Sequence, residues 1–318
     1  MWKRTGLFFY LPEGYRLAFF SERYLIVMKK FAVVLLASVA LASCAYAPGA
    51  LAAIECAGTQ TECLNAWFDA RFAEELAFSP MRQTQLGMKT DYDKLDDMSV
   101  EAAKRQIDWW QQAAAQMTTT FDYDALSDEE KLSYDMFKFR AATAARSGRF
   151  MEQQYVLHRF NGSQSTLPAF LLSQHKVETE SDMVVFIARL GALGPAIDQL
   201  SERAQANAVA GTRPPRFSYD GVIAESTKLV RGAPFDNGPA SALWAGSEGH
   251  LARLVASGTI TMTRAEELRE NARAALLGQM APAYKRVVNW LRQTGRTRMK
   301  WRKVSPNSAM AQNFTFTA

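Results

Sequence analysis

The chain carries three histidines, His158, His175 and His250, and three cysteines, Cys44, Cys56 and Cys63. These are the residue types from which a metal site or a nucleophilic centre would be built. A catalytic zinc needs three protein ligands converging on one point, with a fourth position open to water. The histidines do not supply the helical H-E-x-x-H pattern, in which two imidazoles one turn apart share a face. His175 and Glu178 form an H-x-x-E, and His158 lies in the same irregular stretch. That places His158, Arg159, Asn161 and His175 as candidate cleft-lining residues, not as metal ligands. Ser173 and Lys176 stand at the S-x-x-K spacing of serine acyl-enzymes, but neither S-D-N nor K-T-G accompanies them. No G-x-S-x-G elbow, P-loop or G-x-G-x-x-G is present. No catalytic residue and no metal ligand is assigned, and no cofactor is expected in this chain.

The cysteines point to export. Met28-Lys29-Lys30 precedes an apolar run from Phe31 to Ala42 and then small residues, the three parts of a secretory signal peptide. The run falls short of the ~20 residues of a membrane span. It ends in Leu41-Ala42-Ser43-Cys44, which looks like a lipobox, so residues 28–43 read as a signal peptide and Cys44 as the lipidation site. The alternative is ordinary cleavage after Ala47 or near Ala52, with Cys44 discarded. Cys56 and Cys63, spaced C-x6-C, either close a small disulfide loop in an oxidising compartment or remain two thiols. They stand in a linker over residues 44–63. Residues 1–27 fit no export signal and read as a leader upstream of the true start at Met28, the alternative being a cytoplasmic extension.

The elements that would position any site are helical. Leu64, Trp67/Phe68, Phe72 and Leu76 share one face of a helix over 64–78, ended by Ser79-Pro80. Ser99 opens a second helix, over 99–117, with Ile107, Trp110 and Met117 on its stripe; Trp109 and Trp110 read as core and its flank. Ser127 and Glu130 form a capping box before a helix to about Gln154, with Leu132, Met136, Phe139 and Phe150 as its apolar face. Ser181-Asp182 starts another through Val184, Ile187, Leu190, Ile197 and Leu200. Thr263 and Glu266 suggest a second capping box, before a helix in which Pro282 sets a kink. Residues 155–180 read as one long irregular stretch. Alternating β-branched runs are almost absent, so the predicted fold is all-α: an array of long helices, bundle-like, in one domain.

Composition sets the limits on partners. Of the 318 residues, 48% are hydrophobic and 22% charged, which excludes disorder and allows a sizeable core. The net charge of +5 belongs to the ends: residues 1–30 carry +4 and residues 285–318 carry +8. Between them stand 23 basic and 30 acidic residues, so the body excludes a broad nucleic-acid face and no nucleic acid is expected as a partner.

Several blocks occur in a meaningful order. Residues 67–98 contain Phe72-x-Glu74-x-Leu76-x-x-Ser79-Pro80, then Thr84-x-Leu86-Gly87-x-Lys89-x-Asp91-Tyr92-x-x-Leu95-Asp96-Asp97. Leu126-Ser127 with Lys131 to Asp135, His158-Arg159-Phe160-Asn161, Leu167 to Leu171 with Gln174-His175, Gly232 to Asp236, and Ala283 to Arg286 follow. Over residues 64–293 the chain resembles the N-terminal half of the bacterial domain-of-unknown-function family 885. That resemblance implies an exported or lipid-anchored protein of long helices, similar in full length to zincin-type metallopeptidases. It also implies that the zinc-binding H-E-x-x-x-x-H-H-like segment lies in a C-terminal half. No position here matches those ligands, so zinc is expected only for full-length members.

Residues 294–318 match neither those blocks nor a helix ending. A frameshift near 294–296 would account for them; a basic tail for anionic lipid or nucleic acid is the alternative. The sequence therefore predicts a truncated, catalytically silent lipoprotein of a metallopeptidase-like family. Its expected partners are the membrane through the lipid anchor, a missing C-terminal half, or a peptide ligand. The rival reading is a non-catalytic cell-envelope binding or scaffold protein.

Overall fold

A computed structural model of the chain describes Leu51 and residues 56–295. Cys44, the signal peptide over 28–43, residues 1–27 and the tail from 296 onward lie outside the described residues. Within them the protein is all-α, with no strand among the described residues. Helices α1 (Gln60–Ala77), α2 (Pro80–Gln85), α3 (Val100–Thr120) and α4 (Asp128–Gly148) come first. Then follow α5 (Ser163–Ser173), α6 (Glu180–Val209), α7 (Arg216–Leu229) and α8 (Ala242–Ala256). Last, α9 (Met262–Ala275) runs through a π-helical turn at Leu276–Met280 into α10 (Ala281–Gly295).

The helix starts are dictated by local chemistry. At α1, Thr59 accepts from the Glu62 N–H while the Glu62 carboxylate accepts from the Thr59 N–H at 2.8 Å. Ser127 and Glu130 do the same for α4, and Ser99 caps α3 through the Ala102 N–H at 3.0 Å. Each such cap satisfies one or two of the four N–H groups that a helix start leaves unpaired. Two predicted starts move. Helix α6 is capped by Thr179 with Asp182, two residues before the position read from sequence. Helix α9 is capped by Thr261, whose hydroxyl accepts from the Arg264 N–H; Thr263 lies inside the helix, and Glu266 pairs with Arg269 instead.

Two apolar clusters hold the fold. The first joins α1, α3 and α4, and Phe137 sits at its centre, with ring centroids 5.0 Å from Trp67 and 4.9 Å from Trp110. The second surrounds α6, whose Met183, Phe186, Leu190, Leu193, Ile197 and Leu200 are essentially inaccessible. Among the described residues α6 is the one helix long and apolar enough to cross a membrane by composition, yet 56% of that apolar window is buried inside the protein. Gly194 of α6 lies under the π-helical turn: a Cβ there would come within 2.7 Å of the Gln279 carbonyl oxygen. The widened turn precedes Pro282, whose ring obstructs the regular i−4 hydrogen bond.

Three sequence readings are corrected. The face of α4 read as apolar core points outward: Leu132, Met136 and Phe139 are 62%, 58% and 67% exposed. The aromatic cluster takes Tyr134, Phe137 and Ala141 instead, and the helix ends at Gly148, followed by a 3₁₀ turn at Met151–Gln153. Residues 155–180 are not wholly irregular either, since α5 occupies the middle. Pro168 obscured it, because a proline inside a helix removes one backbone donor and reads as a break. Helices α7 and α8, in a stretch that the sequence reading left unassigned, complete the second cluster.

Candidate functional site

The proline in α5 builds a largely buried polar arrangement. With no N–H at Pro168, the carbonyl of Gln164 four residues earlier loses its helical partner. The buried hydroxyl of Tyr284, on α10, donates to that carbonyl at 2.6 Å. Gln164 itself is fully buried, and its side-chain amide donates to the His158 carbonyl at 2.7 Å and to Glu225 Oε2 at 3.3 Å. Ser165 donates its hydroxyl to the same Oε2 at 2.9 Å. Four segments thus meet at Gln164: the His158 turn, α5 itself, α7 through Glu225 and α10 through Tyr284.

The turn before α5 is equally constrained. Asn161 adopts φ 54°, and a Cβ at Gly162 would strike the His158 carbonyl oxygen and the Gln164 side chain. Arg159 lays its stem against Gly221 of α7, where a Cβ would approach within 2.9 Å. Glycine at 221 lets the turn and α7 meet.

Glu225 faces a cleft of about 930 Å³ between α5, α7 and the segment Arg231–Leu243. Pro168, Leu172, Leu229 and Leu243 give it apolar walls, and Lys228, Arg231 and Asp236 give it charge. The segment is held by its own backbone. Phe235 and Asp236 donate their N–H groups to the Gly232 carbonyl at 2.7 and 3.0 Å, and Ser241 donates to the Ala233 carbonyl at 2.8 Å. Backbone N–H groups at Gly232 and Gly238 hold the Asp236 carboxyl below the usual carboxylate range. Ser241 then caps α8.

The sequence-predicted residues divide. His158, Arg159 and Asn161 come together in the turn that precedes the N-terminal end of α5. His175 lies past the other end of that helix, about 16 Å along at 1.5 Å per residue. It is buried against α6, stacked on Tyr92 with centroids 4.1 Å apart. Its Nδ1 accepts from the Arg189 guanidinium at 3.0 Å, and its Nε2 lies 3.3 Å from the Asp182 carbonyl. Burial, and then the Arg189 charge, push His175 down to about 4. Burial, and then Arg253, push His250 down to about 4 as well. Ser173 of the S-x-x-K pair donates its hydroxyl to the Ala169 carbonyl. Cys56 and Cys63 are joined by a disulfide with Cα atoms 5.5 Å apart, at the entry to α1.

Zinc does not fit these donors. Among the described residues no group of three or more His, Cys, Asp or Glu side chains is placed to hold a metal. Both ring nitrogens of His175 are engaged, one of them by a guanidinium, which repels a cation. Glu178 of the H-x-x-E is 70% exposed and lies 3.8 Å from Lys89. Ser165, Glu225 and Lys228 line the cleft, Gln164 and Tyr284 support it from behind, and none of the five stands out in the sequence as a site residue. Pro168, set among helix-forming residues, was the one signal that could have led there.

Fold and site together define an all-α protein with a largely apolar, charge-rimmed cleft. The chain belongs to the bacterial protein family of unknown function 885, whose family model matches residues 80–310. That match starts at Pro80, inside the first sequence block, and runs beyond residue 293 to take in much of the stretch 294–318 that the blocks do not cover. The fold is similar to the crystal structure of "the putative lipoprotein from Colwellia psychrerythraea", with a TM-score of 0.56 at 13% identity. The similarity covers 74% of this chain and 41% of that one, so the chain spans under half the length of this structural relative. No curated protein matches the sequence.

Proposed function

We propose that this chain is the ligand-binding, non-hydrolysing helical portion of an exported, lipid-anchored protein of a metallopeptidase-like family, and that its ligand is a short peptide. The cleft of about 930 Å³ carries this reading. Its volume lies in the range of small-molecule and short-peptide sites. Apolar walls beside Glu225, Lys228, Arg231 and Asp236 suit a ligand that alternates apolar side chains with charge. The donor chemistry favours binding over hydrolysis, since the buried imidazole at 175 is committed to Arg189 and Asp182. The lipobox ending at Cys44 supports acylation and membrane attachment, and the structural relative described as a lipoprotein agrees with it.

The test uses the full chain expressed with its own leader. Labelled palmitate is expected in the protein and absent from Cys44→Ala. The purified chain is expected to bind short apolar peptides without cleaving them. One zinc per chain, with turnover abolished by a chelator, would overturn the reading.

A cell-envelope scaffold is the second reading, favoured by the exposed stripe Leu132, Met136 and Phe139 on α4. It expects an envelope partner to cross-link at α4 in the native chain and to be released by Met136→Asp.

A further inference from the structure

We infer that Glu225 is the receptor for a cationic nitrogen, so that the cleft selects ligands carrying a primary ammonium next to an apolar body. This rests on the cleft being a ligand site, and it adds which end of the ligand enters and which atom receives it.

The two hydrogen bonds that Glu225 accepts both go to Oε2, from Ser165 and from Gln164. Oε1 has no hydrogen-bond partner among the described residues. Both donors are neutral, and no Lys, Arg or His nitrogen lies within 4 Å of the carboxylate among the described residues. Glu225 is half-buried at the cleft wall, and a carboxylate partly withdrawn from water gains from a counter-charge or further donors. Ionised, it offers about four acceptor positions. The protein fills two and leaves the other oxygen for the cleft.

The oxygen is also held still. Gln164 cannot swing away, because its amide is tied to the His158 carbonyl and its own carbonyl to Tyr284. A binding group whose supports are themselves locked needs little rearrangement when the ligand arrives.

The neighbours decide between a cation and a neutral donor. Lys228 stands three residues along α7, at the spacing where opposite charges pair across one turn, and it lines the same cleft. It nonetheless makes no ion pair with Glu225 within 4 Å. Acid and base are presented side by side to the cleft, each without its counter-charge. Pro168, Leu172, Leu229 and Leu243 then receive the apolar body.

Four probes test this on the full chain by calorimetry: the amidated tripeptide Ala-Leu-Leu, its N-acetyl form, n-hexylammonium and n-hexanol. Removing the charge is expected to weaken binding about 10-fold or more, the usual range for a hydrogen bond to a charged group. Glu225→Gln, which keeps size and shape, is expected to abolish the preference for the charged member of each pair. Ser165→Ala, which frees Oε2, is expected to reduce it only in part. If charged and neutral probes bind the native chain equally, the assignment of Glu225 fails while the cleft reading stands. The same holds if Glu225→Gln keeps the preference. If no probe binds at millimolar concentration, both fail.

Discussion

Tyr284 donates its hydroxyl at 2.6 Å to the carbonyl of Gln164, the very group that Pro168 deprives of a helical partner. The bond spans 120 residues of sequence and ties α10 to the first turn of α5. Burial raises the Tyr284 phenol far above its ordinary pKa, so it stays a donor at every pH the protein meets. Tyr284→Phe leaves that carbonyl orphaned in an apolar interior. The expected loss is about 1–3 kcal/mol in urea unfolding, with the m-value unchanged. Replacing Pro168 by Ala in the same background is expected to recover part of it, because the backbone donor returns to the helix. A variant pair with purely additive effects would show that the two residues do not share this carbonyl.

What the sequence disclosed here, and what it withheld, divides by physical range. Caps at Ser99 and Ser127 were legible because a cap is an interaction between residues three apart. The partner of Gln164 was illegible because nothing near it in sequence announces Tyr284. Glu225 looked like any helical acid, since its isolation from cations depends on how α5 and α7 pack. The aromatic side chains were legible as core, but the face of α4 that meets them was not.

That face gives the second prediction. Leu132, Met136 and Phe139 recur at helical spacing, as core residues do, yet they are exposed. Phe137 and Trp110 lie in the first core cluster, and Arg140 covers the Trp110 ring at 4.4 Å while pairing with Glu75. Trp110→Ala is therefore expected to cost about 3–5 kcal/mol. Serine at 132, 136 or 139 is expected to change stability by about 0.5 kcal/mol or less. Denaturant midpoints of the four single variants check this, and the reverse ranking would mean that α4 presents its other face to the core.

Arg189 is a guanidinium with no carboxylate within 4 Å among the described residues, although Asp93 and Asp96 act on it from further away. It is fully buried and donates to the Lys94 carbonyl at 2.8 Å, to Thr84 Oγ1 at 2.8 Å and to His175 Nδ1 at 3.0 Å. Burial of His175, and then the Arg189 charge, keep that imidazole neutral, pushed down to about 4 from 6.5. An unfolded chain takes up a proton on this ring near pH 6.5, whereas the folded one does so only near 4. Stability is therefore expected to fall as pH drops from 6.5 towards 4, by up to about 3 kcal/mol from this group, and to change little through it outside that window. His250, also pushed down to about 4, acts in the same sense. Unfolding free energies of the native chain and His175→Gln across pH 4–7.5 test it; parallel curves would remove His175 as the cause.

The last prediction concerns the wall of the cleft. Gly232 has φ 80°, a conformation that side chains disfavour by about 1–2 kcal/mol. A Cβ there would also run into the Pro239 carbonyl oxygen, which accepts the Ala233 N–H at 3.1 Å. Gly258 supplies the control, with φ 72° and nothing within 4 Å of a Cβ. Gly258→Ala is expected to cost only the conformational penalty. Gly232→Ala adds a collision with backbone, which cannot swing aside as a flexible side chain would, so residues 231–243 must open. Since that segment walls the cleft beside Glu225 and Lys228, its displacement should weaken n-hexylammonium binding about 10-fold while the α6-centred core stays folded. Calorimetry and thermal unfolding of both variants separate the effects. Equal loss of stability in the two, with binding intact in Gly232→Ala, would show that the contact between Gly232 and Pro239 does not shape the cleft.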